Sequence, residues 1–144
     1  MKFSMAVVLL FLFGCASTNY QLEPSSNALA IIDAAAQAAP DGVSGEFEFA
    51  IQAAGRERGV VYLNTELDYR DRRNISVAIQ PHLVRYFERE FGRTPEQLFI
   101  NQRIQVFGEA RQVRIDFVAN GRRTDKYYFQ THINVTSPDQ IKLL

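Results

Sequence analysis

The chain has 144 residues, 47% of them hydrophobic and 12% aromatic, which suits one domain and leaves no room for a second of full size. Sixteen Lys and Arg balance sixteen Asp and Glu, with a pI near 6.7, so no global field draws the molecule to nucleic acid or to an anionic surface. The balance is uneven along the chain. Between Cys15 and Ala50 the charges are Glu23, Asp33, Asp41, Glu46 and Glu48 with no base, and beyond Ala50 the chain is mildly basic, through Arg far more than Lys.

Met1 and Lys2 form a short positive start, Phe3 to Phe13 an apolar run, and Gly14 a small residue before the only cysteine, Cys15. These are the three parts of an export signal. The run is too short to span a bilayer, which takes about 20 apolar residues. Leu12, Phe13, Gly14 and Cys15 resemble the bacterial lipobox, the site cut by the lipoprotein signal peptidase. The resemblance implies that Cys15 becomes the mature N-terminus and carries lipid. Lipidation also accounts for an exported chain whose lone thiol would otherwise sit unpaired in an oxidising compartment. Ala16 stands where the family's inner-membrane retention signal has Asp, so the resemblance implies the outer membrane with the domain facing the periplasm. The alternative is a buried strand or helix over 3–13 with Cys15 in the core. The polar stretch "ASTNYQLEPSSN" that follows argues instead for a signal and then a tether. The organisation expected is a signal peptide over 1–14, a lipidated tether with a short helix over 15–43, and a domain over 44–144.

Ser25 or Ser26 caps a helix expected from Asn27 to Ala38, with Leu29, Ile32 and Ala36 on one stripe and Pro40, Asp41 and Gly42 as its stop. Such a helix lies on its own domain or meets a partner. From Ser44 the period changes to two: Phe47, Phe49 and Ile51 alternate with Glu46, Glu48 and Gln52, which predicts a first strand over 44–53. "GRERG" reads as a polar turn, Val60 to Leu63 as the second strand, and Ile75, Val77 and Ile79 as the third. Pro81 opens a helix carrying Leu83, Val84, Phe87 and Phe91, ended by Gly92. After a helical turn at Pro95 to Leu98 comes a long strand, Arg103 to Val118. Its apolar parity switches across Gly108, from Ile104 and Val106 to Val113, Ile115 and Phe117, which predicts a bulge or sharp bend. Tyr127 to Val135 is the last strand.

This order, three strands, a helix and two strands after a short N-terminal helix or tether, makes the chain mainly β. It resembles the OB-fold, a five-stranded Greek-key barrel with one helix. "RIQVFGEARQV" is similar to that family's fourth strand and "YYFQTHINVTSPDQIKLL" to its closing strand and tail, so the resemblance spans about 44–144. A small β-sandwich or a cystatin-like sheet wrapped on one helix is the rival. "ANGR" predicts a two-residue hairpin turn at Asn120 and Gly121. That register sets Asp116 against Asp125 and puts Tyr127 and Phe129 on the wrong face, so one extra residue is expected, as an odd loop or a bulge between Asn120 and Asp125.

If the OB resemblance holds, the binding surface is the face of strands two and three with the first and last loops. It then gathers Arg56, Arg58, Tyr62, Asn64, Arg122, Arg123 and Lys126, with Tyr69 in the charged loop "TELDYRDRRN" as a further candidate. Basic loops beside aromatics suit single-stranded nucleic acid, but a membrane anchor disfavours that partner and mixed charge is as often a solvated face. The acids of the charged loop lack the Gly turn and terminal Glu of a calcium site, so no metal is assigned. Tyr128, Gln130, His132 and Asn134 read as the outward side of a half-exposed strand. Only two histidines occur, and no nucleophile elbow, phosphate loop or metal motif, so no catalytic residue and no cofactor is assigned. The function expected is a lipid-anchored, non-catalytic periplasmic binding or adaptor domain. Its partners are the membrane through Cys15 and an envelope protein or small anionic molecule. The alternative is an OB-fold envelope protein for nucleic acid or an anionic ligand, with or without hydrolase activity.

Overall fold

The computed structural model describes residues 28–144; the signal, Cys15 and the first part of the tether lie outside them. Strands take 49% and helices 26% of the described residues, so the domain is mainly β. In chain order the elements are α1 (Ala28–Ala38), β1 (Val43–Ala50), β2 (Ala53–Glu57), β3 (Val60–Asn64), β4 (Ile75–Ile79), α2 (Pro81–Phe91), α3 (Pro95–Phe99), β5 (Arg103–Ala119), β6 (Arg122–Val135), a 3-10 turn (Pro138–Gln140) and β7 (Ile141–Leu143). No described helix is long and apolar enough to cross a membrane.

The strands form one open sheet in the order β1-β5-β6-β4-β3-β2, with β7 added to β5. Seven strands thus replace the five expected. The first expected strand breaks at Ile51 and Gln52: the Ile51 amide donates to Gln102 O (2.9 Å) and the Gln52 amide to Asn64 O (2.9 Å), so the chain passes from β5 to β3 within one residue. Most of "GRERG" is strand, not turn. Gly55, Arg56 and Glu57 pair with Tyr62, Val61 and Val60. The turn is only Arg58 and Gly59, both with positive φ (49° and 85°), as a tight twisted hairpin demands. The tail, expected as an appendage, adds β7 opposite Ile104 to Val106.

Alternation sorts the residues. Phe47, Phe49, Val61, Leu63, Ile75, Val77, Ile79, Ile104, Val106, Ile133 and Val135 point to one side and are buried there with Leu83, Val84, Phe87 and Phe99. Pro81 sits at the first turn of α2, and Gly92, at φ 63°, closes it by donating to Glu88 O. Thr94 and Gln97 form a capping box on α3. The helix α1 packs on β1 and β5 through Ile31 and Ala35, while Leu29 is 49% exposed and Ala36 is exposed. The stripe expected at Leu29, Ile32 and Ala36 is therefore one position out of phase. In an Ala-rich helix almost every face is apolar, so period alone does not choose the buried one.

The parity switch across Gly108 is not a bulge. The β1 register runs unbroken from Ala50↔Arg103 to Val43↔Ala110. Gly108 is instead a close approach, since a Cβ there would meet Ile133 Cγ2 at 3.0 Å. The switch marks where β5 leaves the core. Beyond Ala110 it has lost β1, and β6 before Thr131 has no pairing with β4, so residues 111–130 form a two-stranded arm. The Asn120-Gly121 turn is present with Ala119↔Arg122, and the ladder shifts between Val118↔Arg123 and Asp116↔Tyr127. Thr124 to Lys126 thus face Phe117 alone, an excess of two residues where one was expected. Thr124 Oγ1 fills the gap, donating to Phe117 O (3.0 Å) and accepting from the Lys126 amide (3.2 Å). An even insertion keeps the faces. Val113 and Ile115 pair with Gln130 and Tyr128 rather than sharing a side with Phe129, and Asp116 escapes Asp125.

Candidate functional site

The side of the sheet turned away from the core carries a hollow of about 320 Å³. β3 supplies Tyr62 and Asn64, β4 supplies Ser76, β6 supplies Tyr128 and Gln130, and β5 supplies Ile115. They meet because these positions are the outward parity of neighbouring strands: Asn64 pairs with Ser76, Ser76 with His132, and Ile115 with Tyr128. Gly55 of β2 and Tyr69 of the 65–74 loop complete the wall, and a Cβ on Gly55 would meet nothing within 4 Å.

Beneath the rings lies a buried polar network. Asn64, Asn74 and Ser76 are 5%, 3% and 2% exposed. Ser76 Oγ donates to Asn64 Oδ1 (2.7 Å), and the Asn74 amide donates to Asn64 Oδ1 (3.2 Å), Ser76 Oγ (3.0 Å) and Tyr69 O (3.3 Å). Asn74 Oδ1 accepts from the Glu66 amide (3.1 Å), and Thr65 Oγ1 from the Ile75 amide (2.9 Å). Buried polar groups are tolerated when so satisfied, and the network ties the loop to the sheet. With its oxygen filled twice, Asn64 has an NH₂ group that meets no protein acceptor among the described residues. No fully buried side-chain nitrogen or oxygen among the described residues lacks a partner, so that donor is not sealed from solvent, and Asn64 is one of the residues lining the hollow.

The arm's side is held by a second chain of bonds. Gln130 Nε2 donates to Tyr69 O (3.2 Å) and Tyr128 OH (3.0 Å), and Gln130 Oε1 accepts from His132 Nε2 (2.7 Å). The His132 ring lies 5.6 Å from that of Tyr62. Burial pushes the His132 pKa down and holds the ring neutral, and burial also raises that of Tyr128, which stays a phenol. The lining is thus mostly aromatic and hydrogen-bonding, and its two charged members, Arg56 and Glu57 on β2, cancel in net charge. Arg56 is present at the rim, but its guanidinium forks onto Glu96 (2.8 and 3.0 Å), with Glu88 at 3.8 Å, pinning β2 to α3 and α2. That bond raises the Arg56 pKa; burial works to raise that of Glu96, and the fork wins and holds it low.

Of the residues expected on the surface, Tyr62, Asn64, Tyr69 and Arg56 are brought together. Arg58 is out at the β2–β3 turn with its side chain 92% exposed, and Arg122, Arg123 and Lys126 sit at the far end of the arm, away from the hollow. Ser76, Asn74 and Ile115 were not expected in the site, and Tyr128, Gln130 and His132 were read as merely outward. The available signal was Asn74 just before and Ser76 within the apolar strand "ISVAI", polar residues that such a strand buries only with partners. The charged loop is ordered by local pairs: Asp71 accepts from Arg73 (2.9 and 3.1 Å), and that fork holds the Asp71 pKa down to about 2. No group of three or more His, Cys, Asp or Glu able to hold a metal occurs among the described residues. No protein-family model matches the chain, and no curated protein matches it significantly.

Proposed function

We propose that the chain is a bacterial lipoprotein, anchored through Cys15 to the outer membrane, whose periplasmic domain is a non-catalytic binding or adaptor module of OB-like design. In this reading β1 and β2 are two halves of one bent strand, hinged at Ile51 and Gln52, that bonds to β5 on one side and to β3 on the other. The sheet then returns on itself with α2 between its third and fourth strands, the layout of the five-stranded Greek-key barrel. The binding face is the outer side of β3, β4 and β6.

One observation carries the functional reading: three tyrosines converge over a buried Asn64-Asn74-Ser76 network in which the Asn64 amide, at the lining of the hollow, has no acceptor among the described residues. A preorganised polar floor under aromatic walls is how a site fixes a small ligand group. The hollow lies at the small end of the usual range of about 300–1,000 Å³, so it takes one ring or one side chain. Its neutrality favours an uncharged hydrogen-bonding group over the anionic or nucleic-acid ligand of the alternative reading, since Arg56 is already engaged. The test uses the lipidated protein and its Gly55→Leu variant as baits in envelope extract. Leucine has room at that position and fills the hollow, so the wild type should retain a species that the variant loses; equal retention contradicts the assignment.

A further inference from the structure

We propose that the tip of the β5–β6 arm docks on an anionic phospholipid leaflet, the one in which the acyl chains of Cys15 are seated. The inference rests on the lipoprotein reading above. Phe117, Val118 and Tyr127 are 44%, 64% and 50% exposed toward the hairpin end, and Phe129, 52% exposed, continues this run of large apolar side chains to the root of the arm. A soluble domain seldom leaves such a cluster uncovered. Around it stand Arg114, Arg122, Arg123 and Lys126 against Asp116 and Asp125, a surplus of two positive charges over residues 114–126. The Arg114 guanidinium lies 4.1 Å above the Tyr127 ring and pairs with Asp116 (2.8 Å), which Arg123 also reaches at 3.4 Å. Aromatic and aliphatic groups that enter the headgroup boundary, with long cationic side chains reaching up to phosphates, are the composition of an interfacial anchor.

The anchor's position agrees. Residues 16–27 form a link of twelve residues that reaches at most about 40 Å. The chain enters the domain beside the arm, because Leu29 and Ile32 of α1 line the same groove as Phe117 and Phe129. A link of this reach, entering beside the arm, lets a chain held at Cys15 bring this hairpin to the leaflet. Docking gives the domain a fixed attitude, and acylation supplies the second signal that a weak interfacial contact needs.

The chain contains no tryptophan, so a single reporter is read without background. Lipidated full-length protein with Val118→Trp, and separately with Tyr127→Trp, is reconstituted into vesicles of phosphatidylethanolamine and phosphatidylglycerol with brominated acyl chains, or of brominated phosphatidylcholine alone. Both reporters should be blue-shifted and quenched on the anionic vesicles, less so on phosphatidylcholine, and less so in high salt. A Lys142→Trp control, separated from the tip by about 40 Å of strand path, should stay unquenched. Arg122→Gln with Arg123→Gln should lower the docking equilibrium roughly fivefold for each cation removed. Equal quenching on both vesicles overturns the electrostatic part, and unquenched emission on vesicle-bound protein overturns the docking. Emission that is blue-shifted but unquenched by either lipid assigns the tip to a second copy of the chain, and also overturns it. A palmitate-analogue label on the same samples reports Cys15 separately. Protein that is labelled and vesicle-bound yet unquenched refutes the arm alone, whereas unlabelled protein that does not bind vesicles refutes both readings.

Discussion

Asn74 is the residue on which the site turns. Its side chain meets Asn64, Ser76, Tyr69 and Glu66 at once, and all but the last belong to the hollow or its floor. Asn74→Ala removes these bonds and leaves buried partners short, so it should cost about 2–3 kcal/mol, seen as a lower urea midpoint at unchanged slope. Ser76→Ala removes the hydroxyl that donates to Asn64 and accepts from Asn74, each of which keeps another partner, and should cost about 1 kcal/mol in the same assay. His132 sets a pH dependence. Its folded pKa lies below the unfolded value of about 6.5, so in the window beneath that value the unfolded chain binds more protons. Stability should therefore fall as pH drops through that window, and the His132→Gln variant should lose that share of the slope. Asp71 acts lower: held to about 2 by Arg73, it contributes stability above its unfolded pKa that is lost as pH falls from about 4 toward 2. An Asp71→Asn variant should show a shallower acid limb.

At the scale of elements, the shift in the arm makes a sharp claim. Deleting Thr124 and Asp125 together turns the ladder into one continuous register, with Phe117 facing Lys126 and Asp116 still facing Tyr127. Deleting Asp125 alone leaves Thr124 and Lys126 to share Phe117, an odd count that the ladder takes up only as a bulge or by moving Tyr128, Gln130 and His132 to the other face. The double deletion should keep a cooperative thermal transition near the wild-type midpoint, and the single deletion should lose several degrees more. In α1, Ile31→Ala empties a site that is 4% exposed and should cost about 2–5 kcal/mol, whereas Leu29→Ala should be near neutral. These elements also show what could be read in advance. β3, β4, α2 and α3 were legible because their periods are clean and Pro81, Gly92 and Pro95 mark the ends. The break at Ile51 was not, because a strand handed from one neighbour to another keeps its alternation. The switch at Gly108 was visible as parity, but parity records which face is buried and not whether a bulge or a departure from the core caused the change. Tyr62 and Asn64 were expected from the fold resemblance, and Tyr69 as a further candidate in the charged loop. Ser76 and Gln130 were not, since only the sheet order shows that β4 and β6 run side by side.

Over the whole molecule, the parts divide the work. The core side of the sheet and the three helices supply stability, the opposite side holds the hollow, and the arm carries exposed apolar and cationic groups at its end. The lipid attachment is checked by metabolic labelling with a palmitate analogue: the wild type should be marked, and label retained in Cys15→Ser refutes the site. Whether the hollow over Asn64 and Ser76 is where the domain engages its ligand is decided by photo-crosslinking in intact cells. A benzoylphenylalanine is placed at Tyr62, at Tyr128 or, as a control, at Lys142 on β7. Positions 62 and 128 should give a shared adduct that disappears in the Gly55→Leu background, with none from 142. Adducts that survive Gly55→Leu, or that form only from position 142, contradict that placement of the ligand.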